Sequence, residues 1–251
     1  MLLAAPPEFL ISRASRPAAS LGTVKRGPLF PTTLLLLLGP LQLGAAHAQP
    51  APDPLDGGDY AQVYARTQAG GDAVTASRAA AAMTEYRAGG RDWAARAAQA
   101  ARQATAARPG DPDAQLALGS ALGLQARAAG YTLGALNTAQ QARAALDRAL
   151  NLAPDRADIQ AVLAEWHAGA WAKAGIFSGG NQERARTLAT AAARRAPDTL
   201  FVQAHAGIAL SLIHDPQARA TLTRAVTLDA RTPLDRDIQA QARRVLDGLK
   251  P

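Results

Sequence analysis

The chain has no cysteine among its 251 residues. Disulfides, thiolate nucleophiles, cysteine-ligated zinc and lipid anchors on cysteine are therefore excluded, and the fold must stand on packing alone. Aromatic residues make up only 4% of the chain, and lysine occurs only at positions 25, 173 and 250. Blocks of like charge are also missing. The formal charge is +7, but Arg13, Arg16, Lys25 and Arg26 against Glu8 leave +4 for the residues beyond 48, where the arginines are spread singly. Nucleic-acid-binding surfaces gather their cations on one face or stripe, so no nucleic-acid partner is expected.

Alanine carries most of the 48% apolar content. It loses no side-chain entropy on entering a helix, so the composition predicts an all-α protein of closely packed helices, in one domain or two small ones.

The first 48 residues read as an export signal. Lys25 and Arg26 precede an apolar run centred on Leu34 to Leu38, and Ala46-His47-Ala48 forms a small-x-small cleavage site. Gly39 and Pro40 interrupt the run, which is too short for a stable transmembrane anchor. Cleavage near Ala48 would deliver the chain to the periplasm. Residues 1–23 are long for a charged leader and point to an over-called start, with translation beginning near Val24. "PAPDPLDGG" (50–58) then reads as a flexible leader within 49–58, ahead of a helical domain over 59–251.

A spacing recurs along that domain. Ala142, Leu146, Ala149 and Pro154 are matched by Ala185, Ala189, Ala192 and Pro197, by Ala97, Ala101, Ala104 and Pro109, and by Ala218, Leu222, Ala225 and Ala230. Nine and ten residues after the prolines come Leu118-Gly119, Leu163-Ala164 and Ala206-Gly207. This pattern resembles the tetratricopeptide-repeat superfamily, whose units are helix-turn-helix pairs of 34 residues. The resemblance implies a right-handed α-solenoid of about four helix pairs (72–109, 113–154, 158–197 and 201–230). A capping helix over 234–249 would turn Ile238, Ala242, Val245 and Leu249 inward. Leu146, Leu150, Leu152, Leu222, Val226 and Leu228 are expected to supply most of the buried area.

Two units depart from the pattern, with about 11 and 9 extra residues between their helices, in "QARAAGYTLGALN" and "AWAKAGIFSGGN". These insertions hold Tyr131, Trp171 and Phe177. Such lengthened segments are similar to those of the periplasmic T-component of tripartite transporter systems. In the tetratricopeptide family the first helices line a concave surface. Carried onto this chain, the lining positions are Asp113, Leu116, Ser120 and Gly123, then Asp158, Ala161, Glu165 and Ala168, then Phe201, Ala204, Ile208 and Ser211. Asp158 and Glu165 are placed to meet a cationic group.

Catalytic chemistry is not expected. Glu165 and His167 are two apart and point to different helix faces, and the positions that share a face with His167 are not ligands. His205 and His214 fall on different helical levels, with no partner implied by spacing. "SGGN" (178–181) lacks the lysine and spacing of a P-loop and reads as a helix cap. Trp166 is expected to pack against a neighbouring helix. No metal or cofactor is implied. The expectation is a non-catalytic exported scaffold or adaptor for a protein or peptide partner in the envelope, at Asp158, Glu165, Ser120, Phe201, Trp171, Tyr131 and Phe177. The alternative is a small-molecule-binding accessory of a solute transporter, with Trp171, Tyr131 and Phe177 walling the pocket.

Overall fold

The computed structural model describes residues 52–249, and the expected signal, its cleavage site and the start of the leader lie outside them. Among the described residues the protein is all-α, with ten α-helices, two short 3₁₀ turns and no strand. The helices are α1 (Tyr60–Gly70), α2 (Ala73–Tyr86), α3 (Gly90–Ala107), α4 (Pro112–Ala129) and α5 (Leu133–Leu152). They continue as α6 (Ala157–Ala174), α7 (Gln182–Arg195), α8 (Leu200–Leu212), α9 (Gln217–Thr227) and α10 (Pro233–Gly248). No described helix is long and apolar enough to cross a membrane.

Helix ends are written locally. Asp72, Asp111, Thr132, Asn181 and Thr232 each accept a backbone N–H at the start of a helix, and Pro112 and Pro233 occupy first-turn positions where no N–H is needed. Three helices end alike. Arg108, Ala153 and Ala196 each precede a proline and leave the helical region at ψ 73°, 74° and 66°, as the bulk of a following proline ring demands. Six residues after each of those prolines stands a buried glutamine. Gln115 Nε2 donates to the Pro109 carbonyl (2.9 Å), Gln160 Nε2 to Pro154 (2.8 Å), and Gln203 Nε2 to Ala193 (2.8 Å) and Ala196 (3.1 Å). These amides satisfy carbonyls orphaned where the preceding helix stops.

The helices pack in two layers. α2, α4, α6, α8 and α10 neighbour one another in succession, while α3, α5, α7 and α9 each pack against the helices on either side of them in the chain. Within pairs, small faces large: a Cβ on Gly119 would lie 2.4 Å from Leu146 Cγ, and one on Gly207 would lie 2.7 Å from Leu222 Cγ. In the α6/α7 pair the corresponding residues are Ala164 and Ala189, both fully buried in one cluster. α6 packs closely on α8 and touches α4 only lightly, and the half-buried Trp166 packs against the buried cluster that includes Ala117, Ala121 and Ala142.

The first and last elements meet. Asp237 of α10 accepts a hydrogen bond from the Tyr60 hydroxyl (2.5 Å) and one from Arg87 Nη1 (2.9 Å). Leu234 and Tyr86 join the apolar clusters at both ends of the array, with Leu55, Tyr60 and Val63 on one side and Ile238 on the other. Exposed ion pairs contribute only about 0–1 kcal/mol. The apolar contacts therefore hold this junction, and the polar ones fix its register.

Three expectations are corrected. The residues between the paired helices in part lengthen the helices themselves: α4, α5 and α6 reach 18, 20 and 18 residues, only 130–132 connect α4 to α5, and a 3₁₀ turn (Gly175–Ser178) with residues 179–181 connects α6 to α7. "QARAA" and "LGALNTAQ" are rich in good helix formers, and Gly130 at φ 74° makes the one reversal needed. The leader is not featureless either. Pro54–Gly57 is a 3₁₀ turn with a capping box between Asp53 and Asp56, anchored by buried Leu55. Leu152 is 42% exposed and contributes little to the core, because α5 ends there and no later helix covers that face.

Candidate functional site

The inner layer of helices lines a half-open cavity of about 1640 Å³. Its wall runs from Asp53 near the start of the described chain to Val245 in α10, so the helices that meet at the Tyr60–Asp237 junction also complete the wall. All four positions assigned to α4, namely Asp113, Leu116, Ser120 and Gly123, line it. In α6 and α8 the lining face is rotated. Asp158, Glu165, Phe201 and Ile208 are on the wall, but Ala161, Ala168 and Ala204 are fully buried, and Val162, Gly169, His205 and Leu212 take part. The rotation follows from the close α6–α8 contact, which uses the alanine faces of those helices.

At the middle of the wall Glu165 Oε2 lies 2.5 Å from His205 Nδ1, across 40 residues of sequence. The His205 ring lies against that of Phe201, centroids 4.1 Å apart and planes tilted by 45°. Burial alone would lower the His205 pKa, but the charge and hydrogen bond of Glu165 carry it above its ordinary value. Burial alone would raise that of Glu165, and His205, with Arg127 nearby, holds it below. The two form a hydrogen-bonded imidazole–carboxylate pair, which is an ion pair whenever the ring is protonated. A second pair stands beside it, Arg127 Nη2 donating to Glu85 Oε1 at 2.9 Å. Tyr86 adjoins both carboxylates; burial first, then the charges of Glu85 and Glu165, raise its pKa well above the usual range.

Spacing along the sequence gave His205 no partner, and the structure supplies one. The available signal was weak: His205 shares a helix face with Phe201 and Ile208, four before and three after it. Glu165 was legible as a wall residue, but its contact with α8 depends on packing between repeats. His167 belongs to neither pair. It is 1% exposed on the opposite face of α6, with neither ring nitrogen partnered. Burial first, then Arg184 and Arg143, lower its pKa to about 4.

The remaining assigned residues are dispersed. Asp158 lies on the wall but is held by Arg156, Nε donating to Oδ1 at 3.0 Å and Nη2 to Oδ2 at 2.5 Å. Each of these two carboxylates already meets a cationic or imidazole side chain of the chain itself, Asp158 that of Arg156 and Glu165 that of His205, while Glu165 Oε1 has no partner among the described residues. Burial would raise the Asp158 pKa, and Arg156 holds it below its ordinary value. Ser120 and Phe201 line the cavity. Tyr131 stands at its edge, 89% exposed, beside Leu133 at 87%. Trp171 does not line it: its ring packs against the α6–α9 core, beside a separate cleft with Asn181, Glu183 and Arg186. The loop backbone at Gly180 comes so close that a Cβ there would lie 2.4 Å from the Trp171 nitrogen. The side chain of Phe177 lies outside the described set.

Among the described residues, no group of three or more histidine, aspartate or glutamate side chains could hold a metal ion, and no hydroxyl is hydrogen-bonded to His205. No family model matches the chain, and no curated protein matches it.

Proposed function

We propose that the chain is an exported, non-catalytic binding protein built as a right-handed tetratricopeptide-like α-solenoid, whose first helices ring a cavity for a small-molecule ligand. The periplasm is its proposed location, through the signal ending near Ala48, and an accessory role to a solute transporter is its proposed setting. The repeat reading is supported by the recurrent proline exits, the glutamine six residues after each, and the small-against-large pairs at Gly119 and Gly207.

The observation that carries the ligand reading over a peptide groove is the meeting of the two ends at Tyr60, Arg87 and Asp237. An extended peptide is best received by an open concave face, whereas a wall completed by α10 favours a ligand that enters at an edge. A volume of about 1640 Å³ exceeds the roughly 300–1,000 Å³ of ordinary small-molecule pockets, which fits a large ligand or a hydrated one. Native mass spectrometry of the protein isolated from its own envelope tests the reading. A discrete small molecule released on denaturation is expected. Apoprotein alone, recovered with a reproducible crosslinked protein, would overturn it in favour of the second reading, an adaptor. That second reading has one observation of its own, the protruding Tyr131 and Leu133.

A further inference from the structure

The cavity wall is net acidic, with nine aspartates and glutamates against five arginines and lysines. Five of the nine accept backbone N–H groups at the starts of helices or in their capping boxes, so much of the excess serves helix ends. A ligand meets the side-chain atoms that remain without a partner, and these gather across α2, α4, α6 and α8. Glu85 Oε1 accepts from Arg127 Nη2, and Glu165 Oε2 meets His205 Nδ1; the second oxygen of each carboxylate has no partner among the described residues. Arg127 donates through that one nitrogen only, and its side chain is half exposed. Glu85 and Arg127 both act on the charge of His205, and Arg127 on that of Glu165, so the two pairs adjoin. Acceptors and donors without partners therefore stand side by side.

His205 decides between ligand classes. Its side chain is 8% exposed, yet Nε2 is reachable from the cavity and has no partner. With a carboxylate at Nδ1, that nitrogen carries a proton, so Nε2 accepts a hydrogen bond when the ring is neutral and donates one when it is protonated. A carboxylate ligand fits only the protonated ring and confronts Glu85 and Glu165. An ammonium ligand fits only the neutral ring and confronts Arg127. A hydroxyl both donates and accepts. It fits either state of His205, donates to Glu165 Oε1 or Glu85 Oε2, and accepts from Arg127.

Room is left beside both pairs. Gly123 precedes Arg127 by four residues on α4 and Gly169 follows Glu165 by four on α6, so each shares a helix face with a member of the site, and both line the cavity. A Cβ on Gly123 would meet nothing within 4 Å, and one on Gly169 only Leu212 Cδ1 at 4.0 Å. Glycine inside a helix is unfavourable relative to alanine, and neither position gains close packing in return. Phe201 and Ile208, on the face of α8 that carries His205, add an apolar patch to the same wall. Asp113, whose Oδ2 also has no partner, stands at the other end of α4, about 21 Å from Arg127 along the helix axis. The capacity to bind hydroxyls thus extends beyond a single sugar ring.

We propose that the cavity binds a neutral oligosaccharide, with the hydroxyls of one ring shared among Arg127, Glu85, Glu165 and His205 Nε2 and its C–H face on Phe201 and Ile208. The proposal rests on the reading of the cavity as a ligand site and adds the chemistry of the ligand. A site that hydrogen-bonds hydroxyls discriminates strongly against ligands that lack them, and the apolar patch rewards burial of the C–H face.

The test is calorimetric titration of the full chain with maltotriose, cellotriose and triacetylchitotriose as neutral probes and with spermidine and citrate as charged ones. At least one trisaccharide is expected to bind at least tenfold tighter than either charged probe. Its affinity should change less than about twofold between pH 6 and 8, and its binding should shift the His205 ring resonances in proton NMR. Arg127→Gln, at a half-exposed position, and Glu165→Gln should each weaken that trisaccharide about tenfold. Gly123→Leu should abolish its binding without lowering the melting temperature, which separates a filled site from an unfolded one. Spermidine or citrate binding as tightly as every trisaccharide would overturn the sugar assignment and leave the ligand cavity standing. Trisaccharide binding that ignores both Arg127→Gln and Glu165→Gln, or no trisaccharide binding at all, would also overturn the assignment. The broader reading is judged separately by the mass of the co-isolated ligand.

Discussion

His167 and His205 titrate in opposite directions because only one of them has a partner. For His167 the folded pKa is about 4 against 6.5 for the free side chain, so the unfolded chain takes up the proton first. Its contribution to stability is complete above about pH 6.5 and is lost as pH falls towards 4, by about 3 kcal/mol in all. His167→Leu removes two unpartnered buried nitrogens. It should raise stability at neutral pH by about 1 kcal/mol and flatten the acid dependence in urea melts followed between pH 7 and 4. An unchanged acid slope in the variant would assign that slope elsewhere.

The Glu165–His205 pair behaves differently. The raised pKa of His205 gives stability below its free value that is lost as pH rises through the folded pKa. The lowered pKa of Glu165 gives stability that is lost as pH falls through its own folded pKa. Glu165→Gln should destabilise by about 2 kcal/mol, less than the roughly 3–5 kcal/mol of a dry pair, because the Glu165 side chain is 21% exposed. Proton NMR titration of the His205 ring should then show its pKa below that of the parent protein. A pKa that does not move would show that the two side chains do not interact in solution.

At the scale of the helix, the small-against-large pairing makes a quantitative prediction. Gly119→Ala forces a Cβ against Leu146 and should cost about 1–3 kcal/mol, while Leu146→Ala should cost about 2–5 kcal/mol. The double variant recreates the Ala164/Ala189 arrangement and should lose at least 1 kcal/mol less than the sum. Strict additivity in chemical denaturation would mean that the two sites are independent. Much of this scale was legible: caps, proline exits and small positions are local, and a spacing that recurs four times exposes them. The glutamines six residues after the prolines were equally periodic in the sequence but are polar, and a search for apolar periodicity passes over them. The lengthened α4, α5 and α6 were read as insertions because unit length was measured from one motif to the next, and that distance is blind to whether the extra residues are helical. The rotation of the wall in α6 and α8 depends on which alanine face the neighbouring helix selects, which no single helix encodes.

At the scale of the whole molecule, the account turns on the junction between α1–α2 and α10. Nothing in the sequence around Tyr60 announces a partner 177 residues away, since closure depends on the accumulated angles of every pair between them. The hydrogen bonds at Asp237 hold its pKa below the ordinary value against burial, with Arg87 and then Tyr60 as the causes. The contact joins α1 and α10, with Arg87 at the end of α2, and brings both ends of the described chain to one cavity wall. The ligand reading depends on it.

Because the chain has no cysteine, spin labels can be placed without background, one at the exposed Ala61 in α1 and one at the exposed Ala240 in α10. Pulsed electron–electron double resonance between them is the most direct test. A single narrow distance of the order of neighbouring helices is predicted, broadening on Asp237→Ala combined with Tyr60→Phe. A broad distribution reaching long distances in the parent protein would contradict the junction between α1 and α10 and the function proposed for the cavity it borders.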